Sequence, residues 1–466
     1  MAVLVLAACT SSPSDAGGGP PPSPGSGPQW SPKAGAAFTE PPELESANGV
    51  LEATLTVAKR DLEISGSPVV GAQTFTDGFV APTLVVKPGD TIELDLVNEL
   101  TEETNLHFHG FHVSPDGESD NIFRHVAPGT TAHYQLEIPP NHENGLFWYH
   151  SHAHGISEEQ VAAGLSGLIR IGNVEDLLPY QDTGIVSQDL AIRDIQMKGN
   201  VIPAADEEMF KGPQVRLING QLKPKMAMHP GETQLWRIAN IGADQFYDLK
   251  LDGHRFHVVG EDGNPVARVW ETGHLVLPPG KRFEVLVQAG DAGTYALRTV
   301  KYQGSTPMPN VVMATVEISG DAMTAGPIPE SVGSFVDLAD ADIAARRTEV
   351  FSFAPGKEFK PQINGKSFDP NVVNVHAKLG TVEEWTLKNT TDEEHPFHIH
   401  VNDFQVMSVN GKPYHAAGMQ DVVLIPAHGE VVIRMPFDDY AGTFVFHCHI
   451  LGHEDPGMMA VIEVEE

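Results

Sequence analysis

The chain has 466 residues, more than one compact core can hold, so length alone points to about three domains. Its 62 acidic against 29 basic residues give a formal charge of −33, which argues against nucleic acid as a partner and favours small cations and neutral organic molecules. No apolar run is long enough to cross a membrane as a helix.

The chain opens on Met1-Ala2-Val3-Leu4-Val5-Leu6-Ala7-Ala8-Cys9, in which Leu6-Ala7-Ala8-Cys9 resembles a bacterial lipoprotein cleavage box. Residues 1–9 therefore read as the remnant of an export signal. Cys9 would carry the lipid and hold an exported protein at a membrane surface, periplasmic or extracellular. Cys448 is the only other cysteine, so no intramolecular disulfide can form once Cys9 is lipidated. Residues 10–44 read as a tether, because from Ser11 to about Gly35 the chain is Gly, Pro and Ser with almost nothing to bury.

Beyond the tether the sequence repeats itself three times. A strand-like segment with Gly near its start and Asn nine residues later runs from Gly89 to Asn98, Gly231 to Asn240 and Gly380 to Asn389. Nine residues after each Asn a three-residue unit begins: His107-Phe108-His109, Leu249-Lys250-Leu251 and His398-Ile399-His400. In a second repeating element a Gly precedes another such unit by five residues: Gly145 before His150-Ser151-His152, Gly293 before Arg298-Thr299-Val300, and Gly442 before His447-Cys448-His449. Turns at Pro128-Gly129, Pro279-Gly280 and His428-Gly429 precede them, and short alternating strands such as Thr91–Leu96 and Val431–Met435 lie between Pro/Gly turns. This is the pattern of β-sandwiches. The expectation is an all-β chain of three related domains, roughly 45–173, 180–320 and 345–466. The stretch from Asp337 to Arg347 reads as a short helix or a linker.

The differences between the copies carry the chemistry. The outer domains have His-x-His at both repeated positions, and the middle one has Leu249/Leu251 and Arg298/Val300. Spacing of two lets both histidines of a pair face one way, so two domains can close eight imidazoles over a shared cluster of metal ions. In His447-Cys448-His449 the same alternation sends Cys448 to the opposite face. Cys448, His453 five residues on and Met458 ten residues on are the soft ligands of an electron-transfer copper site. His395 lies at odd offsets from His398 and His400, which turns it toward the metal of Cys448.

The stretches His107–Gly110, Trp148–His152, His395–His400 and His447–Met458 resemble the four copper signatures of three-domain multicopper oxidases, the laccase-like family, in order and over the chain from about residue 45. The resemblance implies three consecutive cupredoxin-like Greek-key sandwiches and four copper ions. The type 1 copper would take His395, Cys448, His453 and axial Met458, and the type 2 copper His107 and His398. The type 3 pair would take His109, His150, His152, His400, His447 and His449. It also implies two proton-carrying acids: Glu454, beside His453, and Asp120, for which Asp116 and Glu118 are alternatives because the match is offset by two residues. Such acids need a pKa near the working pH.

The implied activity is oxidation of phenols, aromatic amines or metal ions, one electron at a time, with dioxygen reduced to water by a protein expected to be a monomer. A dedicated cuprous or ferrous metallo-oxidase is the alternative, and a copper-free binding protein on the same scaffold is a third reading. A copper nitrite reductase is disfavoured, because the cysteine lies in the last domain. His154 extends the alternation of His150 and His152 by one more step, but Gly155 reads as the end of that strand; His112, His125, His254, His257 and His415 fall outside the register, and all six read as ordinary histidines. Met226, Met228, Met308 and Met313 are scattered and read mostly as core, and Met458 is preferred over Met459 as the axial ligand.

Overall fold

The computed structural model describes residues 29–181, 184–203, 214–302, 304, 310–356 and 360–466. Cys9, its cleavage box and residues 10–28 of the tether lie outside these. The described strands form six sheets, paired into three consecutive cupredoxin-like β-sandwiches. Alternation builds each core: in Thr91–Asn98 the side chains of Ile92, Leu94 and Leu96 are buried while Glu93 and Asp95 face outward. One apolar cluster fills each sandwich, and every fully buried Leu or Phe in it contributes about 2 kcal/mol.

The repeat has a physical basis. In each domain the strand that follows the repeated glycine pairs in parallel with the domain's first long strand, Thr91–Asn98 with Val50–Val57, Gln234–Asn240 with Val186–Ile192, and Val382–Asn389 with Ile343–Phe351. Gly89, Gly231 and Gly380 enter these strands at φ of 90°, 80° and 76°, a conformation that costs glycine least. The repeated asparagine ties the loop that delivers the three-residue unit. Asn98 donates from Nδ2 to the carbonyls of Glu102 and Val126, Asn240 to those of Gln245 and Leu277, and Asn389 to those of Glu393 and Ile425. Its Oδ1 accepts from the amide two residues on in all three.

The outer domains also pair their repeated units identically: His107 faces His150 across the ladder, and His398 faces His447. The middle domain departs by one residue, with Lys250 opposite Arg298 and Leu249 opposite Thr299. Leu249 and Leu251 turn into the core there.

Two stretches depart from the composition-based expectation. Residues 29–44, grouped with the tether, are bound to the body: Ala34 and Ala37 bridge to Leu222 and Lys225, and Trp30 packs on an apolar cluster between the first two domains. A few apolar side chains among the small residues suffice for this. Of Asp337–Arg347, Leu338–Asp340 form a single 3-10 turn, and Ile343 already begins the first strand of the third sandwich.

The domains meet along seams that combine apolar clusters with polar contacts. Ala267 donates to the carbonyl of Ala417, Leu451 to that of Ala243, and Gly452 to Asp244 Oδ1 at 2.9 Å. The helix Ser157–Ala163 of the first domain touches the one-turn helix Leu451–Glu454 of the third, with Asp455 accepting from the amides of Gly155, Ser157 and Glu158. No helix among the described residues is long and apolar enough to cross a membrane.

Candidate metal centres

Two clusters of donor atoms lie back to back across the strand Gly442–Cys448. The first is built on Cys448, whose thiol is fully buried and pushed well above its ordinary pKa by that burial. Its Sγ lies 3.5 Å from His395 Nδ1 and 3.7 Å from His453 Nδ1, and the two nitrogens are 3.2 Å apart. Thr391 Oγ1, 2.8 Å from His395 Nε2, fixes which nitrogen of that ring faces the sulfur. Burial, then the neighbouring His453, holds His395 down to about 3. Met458 folds back toward Cys448, its amide donating to the carbonyl of His453 and its carbonyl accepting from the amide of Cys448, and it shares Cys448's apolar cluster. Met459 points instead into a cluster with Ile122 and Val461.

The second cluster gathers eight histidines from the two outer domains. The ring of His107 stacks on His400 and that of His109 on His398, each at 3.7 Å between centroids, so the halves interleave. Three sets bring their donor atoms within 4.8 Å of one another: His107, His109 and His398; His109, His150 and His449; and His152, His400 and His447.

Burial is the leading cause that keeps these rings neutral. It holds His152 and His447 at about 4 and the other six well below the ordinary histidine value, with neighbouring imidazoles adding to the effect. Neutral rings present lone pairs, and here they present them to one another. His447 Nε2 lies 3.3 Å from both His152 Nε2 and His400 Nε2, and His109 Nδ1 lies 3.2 Å from His449 Nε2. Nε2 of His107, His150 and His398 is buried with no hydrogen-bond partner among the described residues. Lone pairs left facing each other in a dry interior are costly, and cations between them relieve that cost. Imidazoles alone in one cluster and thiolate, imidazole and thioether in the other are donor sets that suit copper.

Several of the outer nitrogens are held, whereas Nδ1 of His400 and His449 is buried without a hydrogen-bond partner among the described residues. Asp120 Oδ2 and Oδ1 accept from His107 Nδ1 at 2.9 and 3.1 Å, and Oδ1 also accepts from the Phe108 amide at 3.0 Å. Asp116 and Glu118, the alternatives to Asp120, are exposed, and Glu118 is drawn to Arg124. Glu454 Oε2 lies 2.9 Å from His447 Nδ1 and Oε1 lies 3.5 Å from His152 Nδ1. Burial raises Asp120 to about 8 and Glu454 to about 7.

Eleven of the twelve residues expected from the sequence bring donor atoms together in the two clusters, and Met458 lies in the apolar cluster that holds Cys448. His125, His154, His254, His257 and His415 join neither, and Met226, Met228 and Met313 pack in the middle core; Met308 lies outside the described residues. His112 has a task after all, as an interdomain ion pair with Asp403 at 3.3 Å and Asp439 at 3.0 Å.

Sequence reasoning missed four residues around the clusters. Glu393 Oε2 lies 3.4 Å from His453 Nε2 at the outer edge of the cysteine site. Asp421 sits against His109 and His398, and Arg282 and Gly280 reach the same place from the middle domain. One signal was available for Arg282, a cation opening a largely apolar strand, Arg282–Gln288, whose only other charged residue is Glu284.

Comparison with known proteins agrees with this geometry. Sequence profiles described as "Multicopper oxidase" match residues 56–176, 180–318 and 342–466. The chain is 28% identical over 431 residues to multicopper oxidase mco of Staphylococcus haemolyticus, spanning 90% of this chain and 89% of that one. It is 25% identical over 463 residues to a laccase of Bacillus subtilis, covering 83% and 89%. Among solved structures, a multicopper oxidase from Campylobacter jejuni, described as a metallo-oxidase, superposes with a TM-score of 0.82 at 28% identity over 93% of this chain and 96% of that one.

Proposed function

We propose, given that this chain belongs to the multicopper oxidase family, that it oxidises small phenols, aromatic amines or metal ions at the Cys448 site and reduces dioxygen to water at the eight-histidine site. His395, Cys448, His453 and Met458 would hold a type 1 copper, and His107 and His398 a type 2 copper. His109, His150, His152, His400, His447 and His449 would hold the type 3 pair. Copper, when bound, supplies the one-electron redox steps and the site of dioxygen reduction.

The chain's own residues do the rest. Cys448 and its neighbours His447 and His449 form the covalent route between the two sites. Asp120 and Glu454 stand where protons consumed in forming water must be handed in, at the outer nitrogens of His107, His447 and His152. Phe351 and Phe353 flank His395, and Phe353 also flanks His453, keeping water off the cysteine site.

One observation carries the reading: eight neutral, buried imidazoles from two domains turn unpaired nitrogens onto one another, one residue away from a buried thiol. The test is the copper content and dioxygen uptake of protein expressed with added copper. About four coppers per chain, an intense blue band and uptake with a phenol or cuprous ion are expected. A folded, copper-supplied protein that binds one copper or none would overturn it.

Glu393 favours a second reading, that of a dedicated metallo-oxidase. Its half-exposed carboxylate touches His453, with Asp392 and Glu394 on either side, a setting that attracts a small cation to the point where electrons enter. Turnover of cuprous ion against that of a bulky phenol separates the two. The same proposal has a monomer exported and lipid-anchored through Cys9, supported by the cleavage box alone; detection of the lipid by mass spectrometry tests it.

A further inference from the structure

We propose that Arg282 and Asp421 are the positioning pair of the eight-histidine site, through which the middle domain, itself without ligands, sets the orientation of His109 and His398. The inference rests on the copper reading above and names residues that reading does not use. Both side chains are within the interior, at 0% and 1% exposure. Arg282 Nη1 donates to Asp421 Oδ1 at 2.6 Å and to the carbonyl of Gly280 at 3.2 Å, while Nε donates to the carbonyl of Leu146 in the first domain at 3.1 Å.

Asp421 works on two rings at once. Its Oδ1 lies 3.2 Å from His109 Nε2, and its main-chain carbonyl accepts from His398 Nδ1 at 2.9 Å. A carboxylate clamped by a guanidinium accepts from His109 Nε2, which keeps the ring proton on that nitrogen and leaves Nδ1, the atom facing His449, with its lone pair. The carbonyl does the same for His398, whose Nε2 is left open. The two rings stacked on one another are thus oriented by one residue, from its side chain and its backbone.

All three domains close around the pair. At Gly110 of the first domain a Cβ would come within 2.4 Å of Asp421 Oδ2 and 2.6 Å of Arg282 Nη2, so only glycine lets the backbone lie against both. At Gly280 of the middle domain, φ +84°, a Cβ would meet His109 Cε1 and His449 Cδ2, each at 3.1 Å. A buried ion pair is a weak source of stability compared with apolar packing, so its placement against two ligands points to orientation. The competing account is a structural clamp that happens to adjoin the site.

The experiment compares wild type, Asp421→Leu, Asp421→Asn and Arg282→Met, each expressed with copper. Copper per chain, the blue band, the near-ultraviolet shoulder of the type 3 pair and the type 2 electron paramagnetic resonance signal are recorded. Asp421→Leu and Arg282→Met are expected to keep the blue band, which reports a folded third domain, and to lose at least about half of the type 3 shoulder. Asp421→Asn, which retains an acceptor for His109, is expected to recover most of it. A full shoulder and full copper in Asp421→Leu, even with lower stability, would leave only a clamp and overturn the proposal. If Asp421→Leu does not fold, Arg282→Lys decides: a changed type 3 shoulder supports positioning, an unchanged one overturns it. Wild type without copper would instead sink the copper reading itself, and the two failures are told apart within one experiment.

Discussion

His447 Nδ1 lies 3.1 Å from the carbonyl oxygen of Cys448, the residue that follows it. The contact closes a short loop beside the covalent route and joins the two donor clusters a second time. It also assigns the tautomer of His447, leaving Nε2 to face His152 and His400.

Replacement of Cys448 by Ser should therefore cut the route and leave the eight-histidine site in place. Copper content is expected to fall by about one per chain, the blue band to vanish, and dioxygen uptake with an external reductant to drop by at least about 10³-fold. Circular dichroism should show an unchanged β fold; retained oxidase activity would sink the assignment.

The two buried acids should separate from their exposed neighbours. Glu454→Gln and Asp120→Asn remove a proton carrier at His447/His152 and at His107, and dioxygen reduction is expected to slow about 10²-fold, with electron entry at the Cys448 site unaffected. Asp116→Asn and Glu118→Gln should change the rate less than about twofold, since both side chains face solvent. Stopped-flow traces of reduction and reoxidation read the two halves separately.

Glu393 discriminates between reductants. Glu393→Gln is expected to lower kcat/KM for cuprous or ferrous ion about tenfold, and for a neutral phenol less than about twofold. Equal loss for both would assign the carboxylate to holding His453 in place and remove its support for the metal-ion reading.

Stability should fall at alkaline pH through His112. Burial pulls its pKa down, but Asp403 and then Asp439 outweigh this and raise it to about 10. The folded value lies above the unfolded one of about 6.5, so the ion pair's contribution is complete below that pH and is lost as pH climbs through about 10. His142, buried beside it and held at about 4, stays neutral over the window. A loss of about 1–2 kcal/mol between pH 7 and pH 10 is expected in chemical denaturation, and His112→Gln should flatten it.

Gly145, a landmark of the repeat, has a second duty between domains. A Cβ there would meet the carbonyl oxygen of Gly263 in the middle domain at 2.1 Å, backbone against backbone. Gly145→Ala should destabilise the protein by about 2 kcal/mol or more, seen as a shifted denaturation midpoint.

Legibility in the sequence followed from how local each constraint is. The histidine pairs and Cys448 were readable because strand alternation and a repeat fix their faces within a few residues, whereas Met458 was expected from the resemblance. The asparagines Asn98, Asn240 and Asn389 were visible as a pattern before their hydrogen bonds gave it a reason. Asp421 and Arg282 were invisible as partners because 139 residues and a domain boundary lie between them. Asp120 was ambiguous among three acids, since only burial tells it from Asp116 and Glu118. The one-residue displacement in the middle domain was hidden because spacing along the chain does not say which residues stand opposite one another across a ladder.

The interleaved rings of His107 with His400 and His109 with His398 bear on how the protein is made. The contact partners His152 and His447 are 295 residues apart, and His109 and His449 are 340 apart. A ribosome releases the first half of the site long before the second, and neither half alone surrounds a metal ion. Filling of the eight-histidine site would thus be a late event that reports completed assembly of the outer domains, and a chain cut anywhere between them would yield fragments that lack it.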